Sequence, residues 1–521
     1  MSENKSKALA GSISYVMIIM VLSRLLSLVS TQVYMSFFGL DSFLNIYSYA
    51  ITIPNTIFNC FGTALGTVFI PIYAGHLATG DDKRAARFAD AIITVSTAFT
   101  AVLVLIGIAI SPILPKFTAF NSGEEYNFAV KALMCMMPVM LFYGLNYILQ
   151  GVLQSRGKYG WPAFVSVPSS LVVIIYVFTL GDRFGVAGLL AATFLGLSLQ
   201  ALILIPPAIK AGLRYHVRFT LKDPDIRKAG SMTLPVLLGV SAYQFNMFFN
   251  TTMIANFDGM VTLLNYVQNI VIYMVLAFVY SVTAVIYPKL TESFSRGDTD
   301  GYKSTLSGVL QSMTALLIPV SFGFISVRKP LLELIANYGK ITDSDIEKAS
   351  VLMAMYSIGI LGVGLKEILD RAFYACKNTF LPAVNGFVIM AFNVTLSLIL
   401  TRFMGAYGIP LAYSLSSLIG LCVLCTLLRK KVGPYAKGLG TTLVKCIVSG
   451  AVMALCVTAV NYGLSLALPS VSVAARIIKL ALPVAAGVIV YALMTLILKV
   501  NAVLTVLDAV KRKLGKSGTA V

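Results

Sequence analysis

The chain has 521 residues, 58% of them hydrophobic and only 12% charged, with a mean hydropathy of +0.86. Soluble domains carry about a quarter of charged residues, so this composition excludes an ordinary soluble protein and points to an all-α, polytopic membrane protein. The 40 Lys and Arg outnumber the 21 Asp and Glu, yet they lie in short loops between apolar runs rather than in one patch, which argues against nucleic acid as a partner.

Lys5 and Lys7 precede a run of full spanning length with no small-residue cleavage site, so the first helix is expected to be retained. Runs long enough to span, about 20 residues each, follow one another at 11–37, 44–72, 88–112, 128–153, 161–180, 185–208, 230–255, 262–288, 304–326, 348–375, 380–401, 405–428, 439–462 and 474–499, which makes fourteen transmembrane helices. With the N-terminus inside, the inner segments hold 27 of the 40 Lys and Arg. This bias is the positive-inside rule, and it places both termini in the cytoplasm.

Polar residues inside the runs are few, and each is a candidate for a site. Arg24 lies about halfway along the first run, roughly 20 Å from its inner end. At that depth an arginine should face the bundle interior and water, which makes it a substrate-binding candidate. In the second run Pro54 bends the helix, and Asn45, Asn55 and Asn59 supply polar atoms for interhelical bonds or for a ligand. Asn265, Gln268 and Asn269 form a similar patch at 262–288, and if the two halves face each other the patches would line opposite walls of one cavity. Lys366 and Asp370, and Glu367 and Arg371, are spaced i to i+4 and can neutralise each other, as an internal brace or as a candidate gate. Lys131 and Lys445 sit near helix ends, where long basic side chains snorkel.

No nucleophile motif, phosphate loop or metal-ligand cluster is present, so no cofactor or metal is expected, and a transporter is favoured over an enzyme, although membrane-embedded transferases lack such motifs too. The seven cysteines fall in or at the ends of helices, and the pair Cys422 and Cys425 reads as packing on an apolar helix. His76 and His216 lie in inner loops, far in sequence from any cysteine.

The chain also repeats itself. Pro71, Gly80 and Asp81 return as Pro288, Gly297 and Asp298; Gly185 and Gly188 as Gly405 and Gly408; Pro162 and Ala163 as Pro382 and Ala383. Each copy covers six helices, an even number, so the copies are parallel repeats of one orientation. The expected domains are an N-terminal lobe at 1–208, a basic linker at 209–229, a C-terminal lobe at 230–428, and helices thirteen and fourteen with a basic tail at 429–521.

These residues resemble the MurJ/MviN lipid II flippase family, in the superfamily that also holds the MATE exporters. The similarity runs through Ser23 and Arg24, Phe38 and Gly39, Pro54 and Asn55, Phe69 to Pro71, Tyr266, Pro288, and Ser295 to Gly297. It is most specific at Arg371, Tyr374, Lys377, Thr379 and Pro382. The resemblance implies two six-helix lobes around a central cavity, with the last helix pair forming a groove for a polyprenyl tail. It implies a transporter in the bacterial cytoplasmic membrane that moves a lipid-linked cell-wall precursor by alternating access. Membrane lipids and the cell-wall synthesis machinery are the implied partners.

Departures from the family pattern bear on the substrate. Ser27, Ser30 and Thr31 stand where the family has a glycine, a second arginine and an acid, and Ser30 is expected to share the face of Arg24. Asn45 replaces an aspartate, Phe58 and Asn59 replace arginines, and Gln268 and Asn269 replace an Asp-Arg pair. Neutral amides bind a pyrophosphate less strongly than guanidinium groups do. The alternatives are therefore export of another lipid-linked oligosaccharide or of a small cation, and a non-transporting scaffold of cell-wall synthesis.

Overall fold

In hydrocarbon a backbone N–H or C=O has no water to bond, so apolar runs of this length become helices that pair those groups internally. The computed structural model describes residues 3–220, 223–435, 438–467, 472–500 and 503; Lys222, Lys437, Lys511, Arg512, Lys513 and Lys516 lie outside them. Among the described residues there are helices and no strand. They are α1 (Glu3–Phe38), α2 (Ser42–Ala78), α3 (Asp82–Ile110), α4 (Gly123–Met136), α5 (Val139–Ser155), α6 (Gly160–Phe164), α7 (Val167–Leu202), α8 (Ile205–Lys210) and α9 (Pro224–Ile254). Then follow α10 (Met260–Gln268), α11 (Met274–Ser295), α12 (Thr299–Ile335), α13 (Asp343–Ile358), α14 (Ile360–Ala375), α15 (Phe380–Met404), α16 (Gly408–Val432), α17 (Leu439–Ala467) and α18 (Val473–Ile497).

Ten stretches of the described residues are long and apolar enough to cross a bilayer, or eleven if the bent pair Pro224–Leu234 and Gly239–Ile254 is one span. Fourteen were expected. Part of the difference has a physical reason: two of the ten, Gly160–Lys210 with 51 residues and Phe380–Val432 with 53, double back on themselves and so contribute two crossings each, and α1 is not among the ten. Within α7 the chain reverses at Gly185, whose φ of 56° and ψ of −148° are open to glycine and costly for other residues. Across that turn the Tyr176 hydroxyl donates to the Gly185 carbonyl at 2.6 Å, and Gln200 Nε2 donates to Ser169 Oγ at 2.7 Å. The arms are so close that a Cβ on Gly196 would strike the Ser169 backbone. Gly405, with φ of 58°, makes the same reversal between α15 and α16.

The duplication is therefore visible in the backbone. Gly80 and Gly297 both have φ of 75°. Asp81 then caps α3 by accepting from Arg84 N at 2.9 Å, as Asp298 caps α12 by accepting from Gly301 N at 2.8 Å. Gly157, with φ of 74°, has its counterpart in Lys377, a non-glycine residue held at φ of 54°.

Contacts divide the chain into two compact units, Met1–Thr262 with Gly339–Ile341, and Leu263–Tyr338 with Thr342–Val521. The cut falls inside α10 rather than in the basic linker, so α9 belongs to the first unit, where it packs on α2. That unit is built around α2, which also meets α4 and α5. At one end of it Phe69 stacks on Tyr73 and Phe88 at 5.2 and 5.6 Å, above Ile148, Leu149 and Val152 of α5. In the second unit α12 plays the same part. It carries α17 and α18 through Met453, Val457 and Tyr491, whose hydroxyl donates to the Ala315 carbonyl at 2.8 Å.

Because Lys377 carries a left-handed backbone penalty that Gly157 avoids, Lys377→Gly should stabilise the protein by about 1 kcal/mol, and Gly157→Ala should destabilise it by a similar amount. Thermal unfolding in detergent measures both, and a lower midpoint for Lys377→Gly would refute the strain.

Candidate functional site

The surface of α1 is not uniform. Leu22, Leu25 and Val29 form an exposed apolar stripe, while Ser23 and Ser30 are buried against the neighbouring helices. At about 100° per residue Arg24 lies more than 100° from the centre of either stripe, on a side shared with the half-buried Ser27, Leu28 and Thr31. Its guanidinium is exposed and has no hydrogen bond or ion pair among the described residues. Ser23 Oγ donates to the Ala163 carbonyl at 3.2 Å, which sets Arg24 level with α6, nearer the turn at 156–159 than the expected midpoint. Ser30 does not share its face. Ser30 is six residues on, 6% exposed and aligned with Ser23, so the expected second position for an arginine is closed by packing.

The three asparagines of α2 have two different roles. Asn45 has no exposed surface, donates to the Phe257 carbonyl at 3.3 Å and accepts from Val261 N at 2.8 Å. Ser48 reinforces that clasp through a 2.6 Å contact with the Thr262 hydroxyl. Asn45 thus holds the turn before α10, and with no exposed surface it stands apart from the open positions Asn55 and Asn59 with which the sequence grouped it. Asn55 and Asn59 sit further along and are only partly buried. Asn59 Nδ2 donates to Asn55 Oδ1 at 2.7 Å, and the Tyr147 hydroxyl of α5 donates to Asn59 Oδ1 at 3.1 Å. Tyr147, which sequence spacing did not single out, completes this chain because α5 packs along α2.

In the second unit Asn265 and Asn269 are one turn apart and partly buried, and Asn269 Nδ2 donates to the Asn265 carbonyl at 2.8 Å. Gln268 is 5% exposed. The helix widens into a π-turn over Asn269–Tyr273, a local irregularity of the kind that often marks functional segments. On α14, Lys366 Nζ lies 2.6 Å from Asp370 Oδ2, with side chains 24% and 8% exposed. The second expected pair is absent: Glu367 and Arg371 form no ion pair, and Arg371 instead stands 5.6 Å over the ring of Tyr374. A guanidinium over an aromatic face gains about 0.5–1 kcal/mol, no less than an i to i+4 ion pair on a helix.

The structure also assembles charges that the sequence left scattered. Asp225, at the start of α9, accepts from His76 Nε2 at 3.0 Å and from Arg84 through Nε at 2.9 Å and Nη2 at 3.3 Å. Arg156 donates to Asp82 at 3.0 Å. These bonds tie α2, α3, α5 and α9 at one end of the first unit. Their partners are 74 to 149 residues apart, so no local motif announces them. No metal-binding cluster exists among the described residues.

Removing one member of the Lys366–Asp370 pair strands a charge in a poorly solvated position, at a cost of roughly 3 kcal/mol or more, whereas removing both relieves it. Lys366→Met and Asp370→Leu should each lower the unfolding midpoint further than the double variant does. A double variant worse than the sum of the singles would show that the two do not compensate each other.

The chain is similar to known membrane proteins along most of its length. The family model for "Lipid II flippase MurJ" matches residues 34–476, a stretch that begins after Arg24. A "Probable lipid II flippase MurJ" of Vibrio cholerae is 27% identical over 434 residues, covering 80% of this chain and 82% of its own length. A solved structure of "Lipid II flippase MurJ, inward closed conformation" superposes with a TM-score of 0.77 at 22% identity, over 92% of this chain and 97% of its own. An inward-facing MATE family multidrug resistance transporter of the MOP superfamily shares the fold at a TM-score of 0.68 and 13% identity, over 82% of this chain and 99% of its own. The family match covers most of the polypeptide and both repeats, and the chain belongs to the MurJ lipid II flippase family.

Proposed function

We propose that the protein is a flippase that carries lipid II, the undecaprenyl-pyrophosphate-linked precursor of peptidoglycan, from the inner to the outer leaflet by alternating access. The family match over residues 34–476 carries this reading. A pyrophosphate-sugar headgroup cannot enter hydrocarbon unaccompanied, so its route requires polar side chains exposed inside a membrane protein. Arg24 offers a free guanidinium, and Asn55, Asn59 and Tyr147 offer a continuous polar chain. Asn265, Gln268 and Asn269 add amides on the second unit. Lys366, Glu367, Asp370 and Arg371 are proposed as a gate of near-zero net charge. Asn45 acts as a brace rather than as a ligand.

The protein is a multi-pass membrane protein, and both termini are proposed to face the cytoplasm. In a cysteine-free background, a cysteine at Lys228 or Lys431 should then resist an impermeant thiol reagent in intact cells, and one at Asp258 should react. Ready labelling at Lys228 would reverse the topology.

Two measurements test transport itself. The gene should restore growth to bacteria depleted of their own lipid II flippase, and failure despite normal membrane levels would refute the assignment. Charge-assisted hydrogen bonds from a guanidinium contribute roughly 1.5 to 3 kcal/mol each, so Arg24→Ala should weaken lipid II retention in native mass spectrometry about ten-fold or more. Arg24→Lys should recover part of the loss, because a point charge lacks the planar fork. Unchanged retention in Arg24→Ala would remove Arg24 from the pyrophosphate site.

A further inference from the structure

A second cationic feature of the first unit is absorbed neither by the proposed transport route nor by any internal ion pair. Where the turn between α5 and α6 meets the turn between α7 and α8, a pocket of about 290 Å³ is lined by Lys158, Trp161, Ile203, Pro206, Pro207 and Lys210. Both lysines are exposed, and neither ammonium has a hydrogen bond or ion pair among the described residues. No carboxylate lines the pocket. At the same end of the unit, Asp82 pairs with Arg156 and Asp225 with His76 and Arg84. Two like charges face one opening uncompensated, above a floor of Ile203 and two prolines whose fixed φ makes it rigid.

We infer that this pocket holds the phosphodiester headgroup of an anionic glycerophospholipid of the inner leaflet. The charge calls for an anion, and the floor calls for one attached to apolar matter. Trp161, 44% exposed, adds an indole of the kind that settles at the headgroup level of a bilayer. The pocket lies at the ends of two spanning stretches, Gly123–Ser155 and Gly160–Lys210, where such headgroups are. Its volume sits at the lower bound for small-molecule sites. It suits a phosphate and glycerol.

The chain immediately beyond the pocket has the same character. From Leu213 to Phe219 it is irregular, and exposed Tyr215, Val217 and Phe219 alternate with Arg214, His216 and Arg218. Val217 and Phe219 are 81% and 63% exposed, an apolar surface that lipid can cover. Basic and apolar groups together are the signature of a segment lying on an anionic membrane surface. The assignment to the inner leaflet rests on the proposed orientation, whereas lipid binding does not rest on transport.

Trp161 is the single tryptophan of the chain, so its fluorescence reports on this pocket alone. The experiment uses the full chain in phosphatidylcholine nanodiscs carrying increasing fractions of brominated phosphatidylglycerol or brominated phosphatidylcholine. The anionic lipid should reach half-quenching at a mole fraction ~5-fold lower than the neutral one. That preference should disappear in Lys158→Gln/Lys210→Gln and persist in Lys158→Arg/Lys210→Arg, with unfolding midpoints confirming that both variants are folded. Equal quenching by the two lipids, or an unchanged preference in the glutamine variant, overturns the proposal. So does release of the quenching by millimolar inorganic phosphate, which would mark a soluble-anion site, or by substoichiometric undecaprenyl pyrophosphate, which would assign the pocket to the transport substrate. Because quenching is read without turnover, failure of complementation by the wild-type gene leaves this result independent.

Discussion

Every backbone group that enters hydrocarbon must find its hydrogen bond within the protein, since an unpaired N–H or C=O there costs several kcal/mol. This requirement makes the chain helical and confines its reversals to tight, internally bonded turns. Gly185 and Gly405 serve as pivots of two helical hairpins, and the Tyr176 hydroxyl takes up the Gly185 carbonyl that the reversal frees. The glycine-aspartate turns at 80–81 and 297–298 do the same at other corners, each with an aspartate carboxylate on the first free N–H groups of the next helix. The recurrence of these turns about 220 residues apart preserves the original architecture in both copies while their side chains diverge.

Polar side chains obey the same requirement, and it sorts them by role. Asn45 is occupied by the Phe257 carbonyl and the Val261 N–H, so it is part of the frame. Lys366 and Asp370 satisfy each other in charge, and the Asp225 cluster fastens the ends of α2, α3 and α9. What the frame does not use is a better guide to function. Arg24 is a cation without a partner among the described residues, on a side of α1 apart from both its packed serines and its exposed apolar stripe. The Asn55, Asn59 and Tyr147 chain keeps part of its surface open. In the proposed route these side chains would serve a ligand rich in oxygen better than a hydrophobic cation.

The proposed route carries amides at most of its polar positions, which has a consequence for mechanism. A neutral amide accepts and donates hydrogen bonds but holds a pyrophosphate with less electrostatic strength than a guanidinium. Weaker ground-state capture also means easier release. In the proposed site, with Arg24 as its cation, discrimination between substrates would rest on the sugar and peptide, which amides read well through paired donors and acceptors.

Apolar run length, composition and the spacing of repeated turn residues determined by themselves that this chain is a helical membrane protein with a duplicated core, because bilayer thickness and backbone saturation act on sequence locally. The i to i+4 pairing of Lys366 with Asp370 was legible for the same reason, since helix geometry alone brings those side chains together. Only the tertiary structure decided which face of α1 is packed, and so separated Arg24 from Ser30. It alone committed Asn45 to a distant turn, turned Arg371 from Glu367 to Tyr374, gathered His76, Arg84 and Asp225 from three helices, and placed α9 with the first unit. Each of those outcomes depends on how side chains settle once helices have packed against one another, and no local spacing records that packing.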